Sequence, residues 1–219
     1  MKDVILVPTD FSEVCNNAIH HAAQTANFLN YKMVLLHVVD KNTKEFLQKE
    51  GKDETYITTL LEEKAQEVRK AFDVKVDFLS KRGDIFTTIG DETKNHEAKL
   101  VFLGTHGKEG MQRLTGSYAK KVITNSPSPV IVVQKRAFEK GFKQIILPIT
   151  NEAGPWEKTK WAVFMAKEFG ATIHIYEMGS APRGVKEATN RIAGYLGKND
   201  VQYTHEQAEK GGNYTQQVI

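Results

Sequence analysis

The chain has 219 residues and a mass of 24.7 kDa, with 40% hydrophobic and 26% charged residues, the proportions of an ordinary globular protein. Its apolar runs are short, Met33–Leu36 and Pro129–Val133 among them, far below the roughly 18 consecutive apolar residues of a membrane-spanning helix. A net charge of +3 with the signs mixed along the chain is too weak to argue for nucleic acid, and the single Cys15 excludes an internal disulfide framework and a cysteine-based zinc site.

The first strand is expected at Val4–Val7, a continuous apolar run. The chain opens on this run rather than on a basic-then-apolar leader, so no secretion signal is expected and the cytoplasm is the expected location. After Pro8-Thr9-Asp10, Ser12 is a good helix cap, and Val14, Ala18, Ala22, Ala26 and Leu29 share one helical face. A strand follows at Met33–Val39. The polar stretch Asp40–Glu54 reads as loop or frayed helix. Ile57, Leu61, Ala65, Val68 and Phe72 define a second amphipathic helix, and Val74–Leu79 a third strand. Gly83-Asp84 opens a helix over Ile85–His96, followed by a strand at Leu100–Leu103. A glycine-bearing loop, Gly104–Thr115, leads to a helix at Gly116–Asn125 and a fifth strand at Pro129–Val133. Strands alternating with helices imply crossover connections and a parallel sheet covered on both faces, a doubly wound α/β domain.

The remainder repeats this pattern weakly. Val4–Asp10 resembles Ile145–Asn151, with Pro8 falling on Pro148 (148 − 8 = 140). Met33–Val39 falls on Thr172–Met178 (178 − 39 = 139), and Gly83–Ile89 on Gly212–Val218 (212 − 83 = 129). Helices are expected at Trp156–Phe169 and Arg183–Leu196, and a strand at Val201–His205. The expected organisation is a complete unit over 1–138 and a truncated copy over 139–219.

In an open parallel sheet, ligands bind beyond the carboxyl ends of the strands where the strand order reverses. Three segments should meet there: Pro8-Thr9-Asp10, Val38-Val39-Asp40, and the loop from Gly104. Gly104 and Gly107 allow close backbone approach. Gly116-Ser117 opens a helix whose free N–H groups favour phosphate. The loop is not a P-loop, because Glu109 stands where Ser or Thr should bind magnesium. Nor is it a dinucleotide fingerprint, which belongs after the first strand. A flexible glycine-rich connector is the competing reading.

VPTDFSE at Val7–Glu13, LLHVVD at Leu35–Asp40, GDI at Gly83–Ile85 and the run from Gly104 to Val133 together resemble the universal stress protein family. The resemblance covers Met1–Gln134 and implies a five-stranded sheet in the order 3-2-1-4-5. The family's nucleotide-binding branch carries G-x2-G-x9-G-[ST]. Here Gly104, Gly107 and Gly116-Ser117 match, with Lys108–Thr115 one residue shorter than that spacer. The resemblance implies that Asp10 hydrogen-bonds the ribose of ATP or AMP, while Pro8, Thr9, Val38 and Val39 frame the adenine. It places Gly104, Thr105, His106 and Gly107 along the ribose and phosphates, with Gly116, Ser117 and the Tyr118 N–H on phosphate oxygens. Magnesium would bridge the phosphates. It also implies homodimerisation through Pro129–Val133.

No catalytic constellation is legible. His106 lies in the right loop without a named partner, so a slow ATPase has little support. His20, His21, His37 and His96 read as packing or surface residues, without paired metal-ligand spacing. Cys15 reads as a small semi-buried residue, although the helix dipole would favour its thiolate. The truncated copy places Ile149-Thr150, or Thr150-Asn151 with a one-residue slip, where the first unit has Thr9-Asp10, and its glycine loop would begin beyond Ile219. It is not expected to bind nucleotide, which leaves at most one per chain. The alternative function is a dimeric interaction protein of the same fold with a vestigial site. Neither nucleic acid nor membrane is an expected partner.

Overall fold

A computed structural model describes residues 3–105, 116–134, 141–150 and 155–218, with 116–118 and 155 defined by backbone alone. The chain divides into two compact units, Met1–Glu139 and Lys140–Ile219. In the first, β1 (Val4–Pro8), β2 (Lys32–Val39), β3 (Val76–Arg82), β4 (Ala98–Gly104) and β5 (Val130–Val133) form one parallel sheet. The order is β3-β2-β1-β4-β5, as the sequence implies. The helices are α1 (Glu13–Leu29), α2 (Lys41–Lys49), α3 (Glu54–Phe72), α4 (Ile85–Asn95) and α5 (Gly116–Asn125).

Alternation along the strands sorts the core into two layers. Ile5, Val7, Met33 and Leu35 pack against Ala18, Ile19 and Ala22 of α1 and Ile57, Leu61 and Ala65 of α3. Val4, Leu6, Val34 and Leu36 pack against Ile89 of α4 and Val122 of α5. All five residues of β1 are therefore buried, which is the environment that selects continuous apolar runs in central parallel strands. The helix starts have local causes. The Ser12 hydroxyl accepts from the Cys15 N–H at 3.4 Å, and Asp84 Oδ1 accepts from the Phe86 and Thr87 N–H groups at 3.0 and 3.1 Å.

The polar stretch after β2, read as loop or frayed helix, is in part helical. It contains α2, started by Asp40, whose Oδ1 accepts from the Thr43 N–H at 2.9 Å. Only Leu47 of that helix is buried, so there is no apolar stripe to mark it. The third strand starts at Val76 rather than Val74. Val74 is buried in the core but precedes the ladder, and the strand runs on through the exposed Lys81 and Arg82 at the sheet edge.

The second unit contains β6 (Gln144–Ile149), α6 (Pro155–Phe169), β7 (Thr172–Glu177), α7 (Arg183–Lys198), β8 (Tyr203–Gln207) and α8 (Tyr214–Val218). Its three strands are parallel in the order β6-β7-β8. Val4 pairs with Lys32, and Gln144 pairs with Thr172. One offset therefore relates both strands (144 − 4 = 172 − 32 = 140), and the offset of 139 expected for the second strand is one residue out. Val201, like Val74, is a buried residue just ahead of its strand, so β8 begins at Tyr203 rather than Val201. Asn213 accepts from the Gln216 N–H at 3.4 Å, as Asp84 does from Thr87 in the first unit.

The two units differ in how their sheets are covered. Leu147, Ile149, Ile173 and Ile175 pack against Ala162, Val163 and Ala166 of α6 and Val185, Ile192 and Leu196 of α7. The alternate residues face the other way, and β7 shows a strict alternation of buried and half-buried positions. Ile146 on that second face is 51% exposed, whereas Leu6, at the matching register, is 0% exposed. Leu6→Ala should therefore cost about 2–5 kcal/mol in urea unfolding, and Ile146→Ala about 0.5 kcal/mol or less. Equal losses at the two positions would show that the second face is covered in solution.

Candidate functional site

Every connection in the first unit is a β–α crossover, so the carboxyl ends of β1, β2 and β4 lie along one edge of the sheet. The switch in strand order falls between β1 and β4, because the chain builds β2 and β3 on one side of β1 and β4 and β5 on the other. Pro8-Thr9-Asp10 leave β1 there, and Gly104-Thr105 leave β4.

The turn after β1 is heavily determined. Thr9 is 6% exposed, and its N–H donates to the Leu36 carbonyl at 2.8 Å. Its hydroxyl accepts from the Phe11 N–H at 3.0 Å, and Asp10 Oδ1 accepts from the Ser12 N–H at 2.9 Å. Phe11 sits at φ 64, in the left-handed region. These bonds hold Asp10 as an exposed carboxylate at the strand end.

Val38 and Val39 are placed beside it at the end of β2, but their side chains are 8% and 1% exposed and belong to the core. The Val38 carbonyl accepts from the Asp40 N–H at 2.9 Å, and the Val39 carbonyl from the Gly83 N–H at 3.4 Å. A base at this edge would therefore meet backbone rather than valine methyls.

Gly104 is required by packing. A Cβ there would lie 2.7 Å from the Val14 carbonyl oxygen and 3.0 Å from the Cys15 Cα. The residue thus lets β4 approach the first turn of α1, which brings Thr105 up to the Asp10 turn. Thr105 is 7% exposed, and its N–H donates to the Val133 carbonyl at 3.0 Å. The backbone of α5 starts at Gly116, as expected, and runs through Ser117 and Tyr118. Its N-terminus follows the β4 crossover and so lies at the same edge of the sheet, where free amides suit phosphate. His106 and Gly107 lie outside the described residues.

Two residues acquire defined environments. Burial pushes the Cys15 thiol up to about 12, and the nearby Asp10 carboxylate adds to the shift. Neither leaves room for a thiolate, so the reading of Cys15 as a small packing residue holds. His37 is 6% exposed. Its Nδ1 lies 2.8 Å from the Thr9 carbonyl, its Nε2 3.2 Å from the Thr43 hydroxyl, and its ring stacks on Phe11 at 5.0 Å. The packing role expected of His37 is right, but its ties to both strand ends were not legible. A histidine inside an apolar strand run, one residue before Val38-Val39, is the signal that was available. Burial holds its pKa below the ordinary 6.5, against the opposing pull of the Thr9 carbonyl, Asp10 and Asp40. No group of three or more metal-ligating side chains occurs among the described residues.

The fold and this edge define a doubly wound α/β protein whose strand order switches between β1 and β4. The sequence profile of the universal stress protein family matches residues 1–134, and the chain belongs to that family. A universal stress protein of Methanocaldococcus jannaschii is 34% identical over 139 residues, spanning 60% of this chain and 81% of its own. The structure of a universal stress protein from Archaeoglobus fulgidus superposes with a TM-score of 0.78 at 17% identity, over 100% of this chain and 82% of its own. That likeness is one of fold. Universal stress protein UspA from Lactobacillus plantarum matches with a TM-score of 0.51 at 26% identity, over 60% of this chain and 97% of its own.

Two measurements check the environments at this edge. Cys15, the single thiol, should react with a thiol reagent at pH 8 far more slowly in the native protein than in urea; equal rates would contradict its burial. His37 gives up its proton more readily folded than unfolded, so the unfolded chain binds more protons below about pH 6.5. Its contribution is complete above that value and declines as the pH falls toward the lowered native pKa. The melting temperature should therefore drop between about pH 7.5 and pH 5.5 by more in the wild type than in His37→Leu.

Proposed function

We propose that the first unit binds an adenine nucleotide, ATP or AMP, and that occupancy of the site is the signal of a stress-response module. One observation carries the reading. The exposed carboxylate of Asp10 is held in a fixed turn at the switch point, beside Gly104-Thr105 and on the same sheet edge as the α5 N-terminus. A carboxylate acceptor matches vicinal ribose hydroxyls, and helix-terminal amides match phosphate oxygens. Family membership and the Gly104, Gly107, Gly116-Ser117 spacing add to this. Pro8, Thr9, Val38 and Val39 frame the base through their backbone edge. Thr105, His106, Gly107 and the Tyr118 N–H complete the ribose and phosphate side, and a magnesium ion bound with the nucleotide would supply charge compensation there.

In this reading the protein is a cytoplasmic binding module rather than an enzyme. The second unit is a degenerate copy in a tandem arrangement, with Thr150 in place of Asp10 and thus no carboxylate for a ribose at that position. The edge strand β5 is the homodimer contact: it is four residues long, pairs only with β4 among the described residues, and leaves Val132 39% exposed.

Denaturing the purified protein and chromatographing the supernatant tests the central statement. Adenine nucleotide should be released from the wild type and be depleted at least about ten-fold in Asp10→Ala, the effect of losing a charge-assisted hydrogen bond. No nucleotide in the wild type, with no thermal shift on adding ATP, would overturn the reading and favour an interaction protein with a vestigial site.

A further inference from the structure

We propose that His37 is a positioning residue: it fixes the Asp10 turn in the orientation that selects a ribose bearing both hydroxyls. The inference rests on the nucleotide reading of the same site. Asp10 precedes Phe11, a bulky residue held at φ 64, where side chains other than glycine are disfavoured. Such a turn persists only if its surroundings over-determine it. Two bonds act within the turn itself, from the Phe11 N–H to the Thr9 hydroxyl and from the Ser12 N–H to Asp10 Oδ1.

Support from outside the turn comes from the Leu36 carbonyl, which accepts from the Thr9 N–H at 2.8 Å, and from His37. Its ring lies against Phe11, with centroids 5.0 Å apart and planes 21° apart. Its Nδ1 lies 2.8 Å from the Thr9 carbonyl oxygen, directly before Asp10. A carbonyl can only accept, so Nδ1 carries the proton in the neutral ring, and Nε2 lies 3.2 Å from the Thr43 hydroxyl, whose single proton also has Asp40 Oδ1 as an acceptor at 3.0 Å. Thr43 in turn belongs to the α2 start that Asp40 caps. The histidine therefore braces the β1 exit against both the β2 end and α2. It is 6% exposed and acts on a ligand through Asp10. Burial, which favours the neutral ring, suits this tautomer.

The test is titration calorimetry with ATP and with 2′,3′-dideoxyATP, which lacks the hydroxyls Asp10 would hold. Wild type should prefer ATP by about ten-fold or more. His37→Leu keeps a bulky apolar group but removes both hydrogen bonds and the ring, and the preference should fall toward one. Phe11→Gly provides the second reading, because glycine suits φ 64 and the variant should fold; it removes the stacked ring and should lose most of the preference too. If His37→Leu weakens both ligands equally and the ratio survives, His37 is only structural and the inference falls. If wild type binds both ligands equally, the ribose role of Asp10 and this inference fall while nucleotide binding stands. If wild type binds neither, the nucleotide reading falls as well.

Discussion

Burying β1 on both faces is the constraint on which the rest of the first unit depends. A strand with five buried residues must be flanked by strands on both edges and by helices above and below. Parallel neighbours satisfy the edges, but each parallel connection needs a crossover, and these crossovers supply the helices. The same arrangement forces every strand to end on one side. The exits of β1 and β4 then become neighbours although they are far apart in sequence. Asp10 and Gly104 thus stand at the same end of adjacent strands, and the missing Cβ at Gly104 lets β4 close onto α1.

The second unit shows what happens when only part of that constraint is met. The β6–β7 pairing repeats the β1–β2 register at a constant offset, so the backbone arrangement recurs. Among the described residues, α6 and α7 cover one face of its sheet, while the other meets the short α8 through Tyr176, Tyr214 and Gln217. The sequence has adjusted to this. Positions held by Val4, Val34 and Leu36 in the first unit are Gln144, His174 and Tyr176 in the second, residues that accept partial exposure. His174 Nδ1 meets the Thr204 hydroxyl at 2.8 Å, and the Tyr176 hydroxyl donates to Gln217 at 3.2 Å.

Much of the fold was legible because periodicity reports burial. Continuous apolar runs gave β1 and β2, helical stripes gave α1 and α3, and the glycine and proline punctuation separated them. The elements left open or misplaced were those whose apolar positions do not mark the ladder or a helical stripe. Leu47 alone anchors α2, and the late starts of β3 and β8 reflect Val74 and Val201, which pack as core residues without joining a ladder. At the candidate site, the sequence pointed to the segments that converge but not to the bonds that hold them. Nothing in a linear pattern reveals that His37 reaches the Thr9 carbonyl, or that a phenylalanine rather than a glycine occupies the left-handed position. The first follows from the β1–β2 register, which sets Leu36 beside Pro8 and so brings His37 to the β1 exit.

That register also separates the chemistry of the two units. The offset that carries Pro8 to Pro148 carries His37 to Glu177 (37 + 140 = 177), and both side chains are buried. His37 reaches toward β1 and bonds the carbonyl that precedes Asp10. Glu177 is tied the opposite way, with its two oxygens 3.2 Å from His205 Nε2 and from Gln207 Nε2 on β8. In the first unit the buried polar group at the strand end organises the β1 exit and its carboxylate. In the second it braces the sheet edge on the β8 side, and Thr150 follows Ile149 where a carboxylate would be needed. A buried polar group needs hydrogen-bond partners wherever it sits, so the direction in which each residue finds them decides which strand end is pre-organised. The same backbone therefore builds a braced turn with an exposed carboxylate in one unit and a structural brace at the sheet edge in the other.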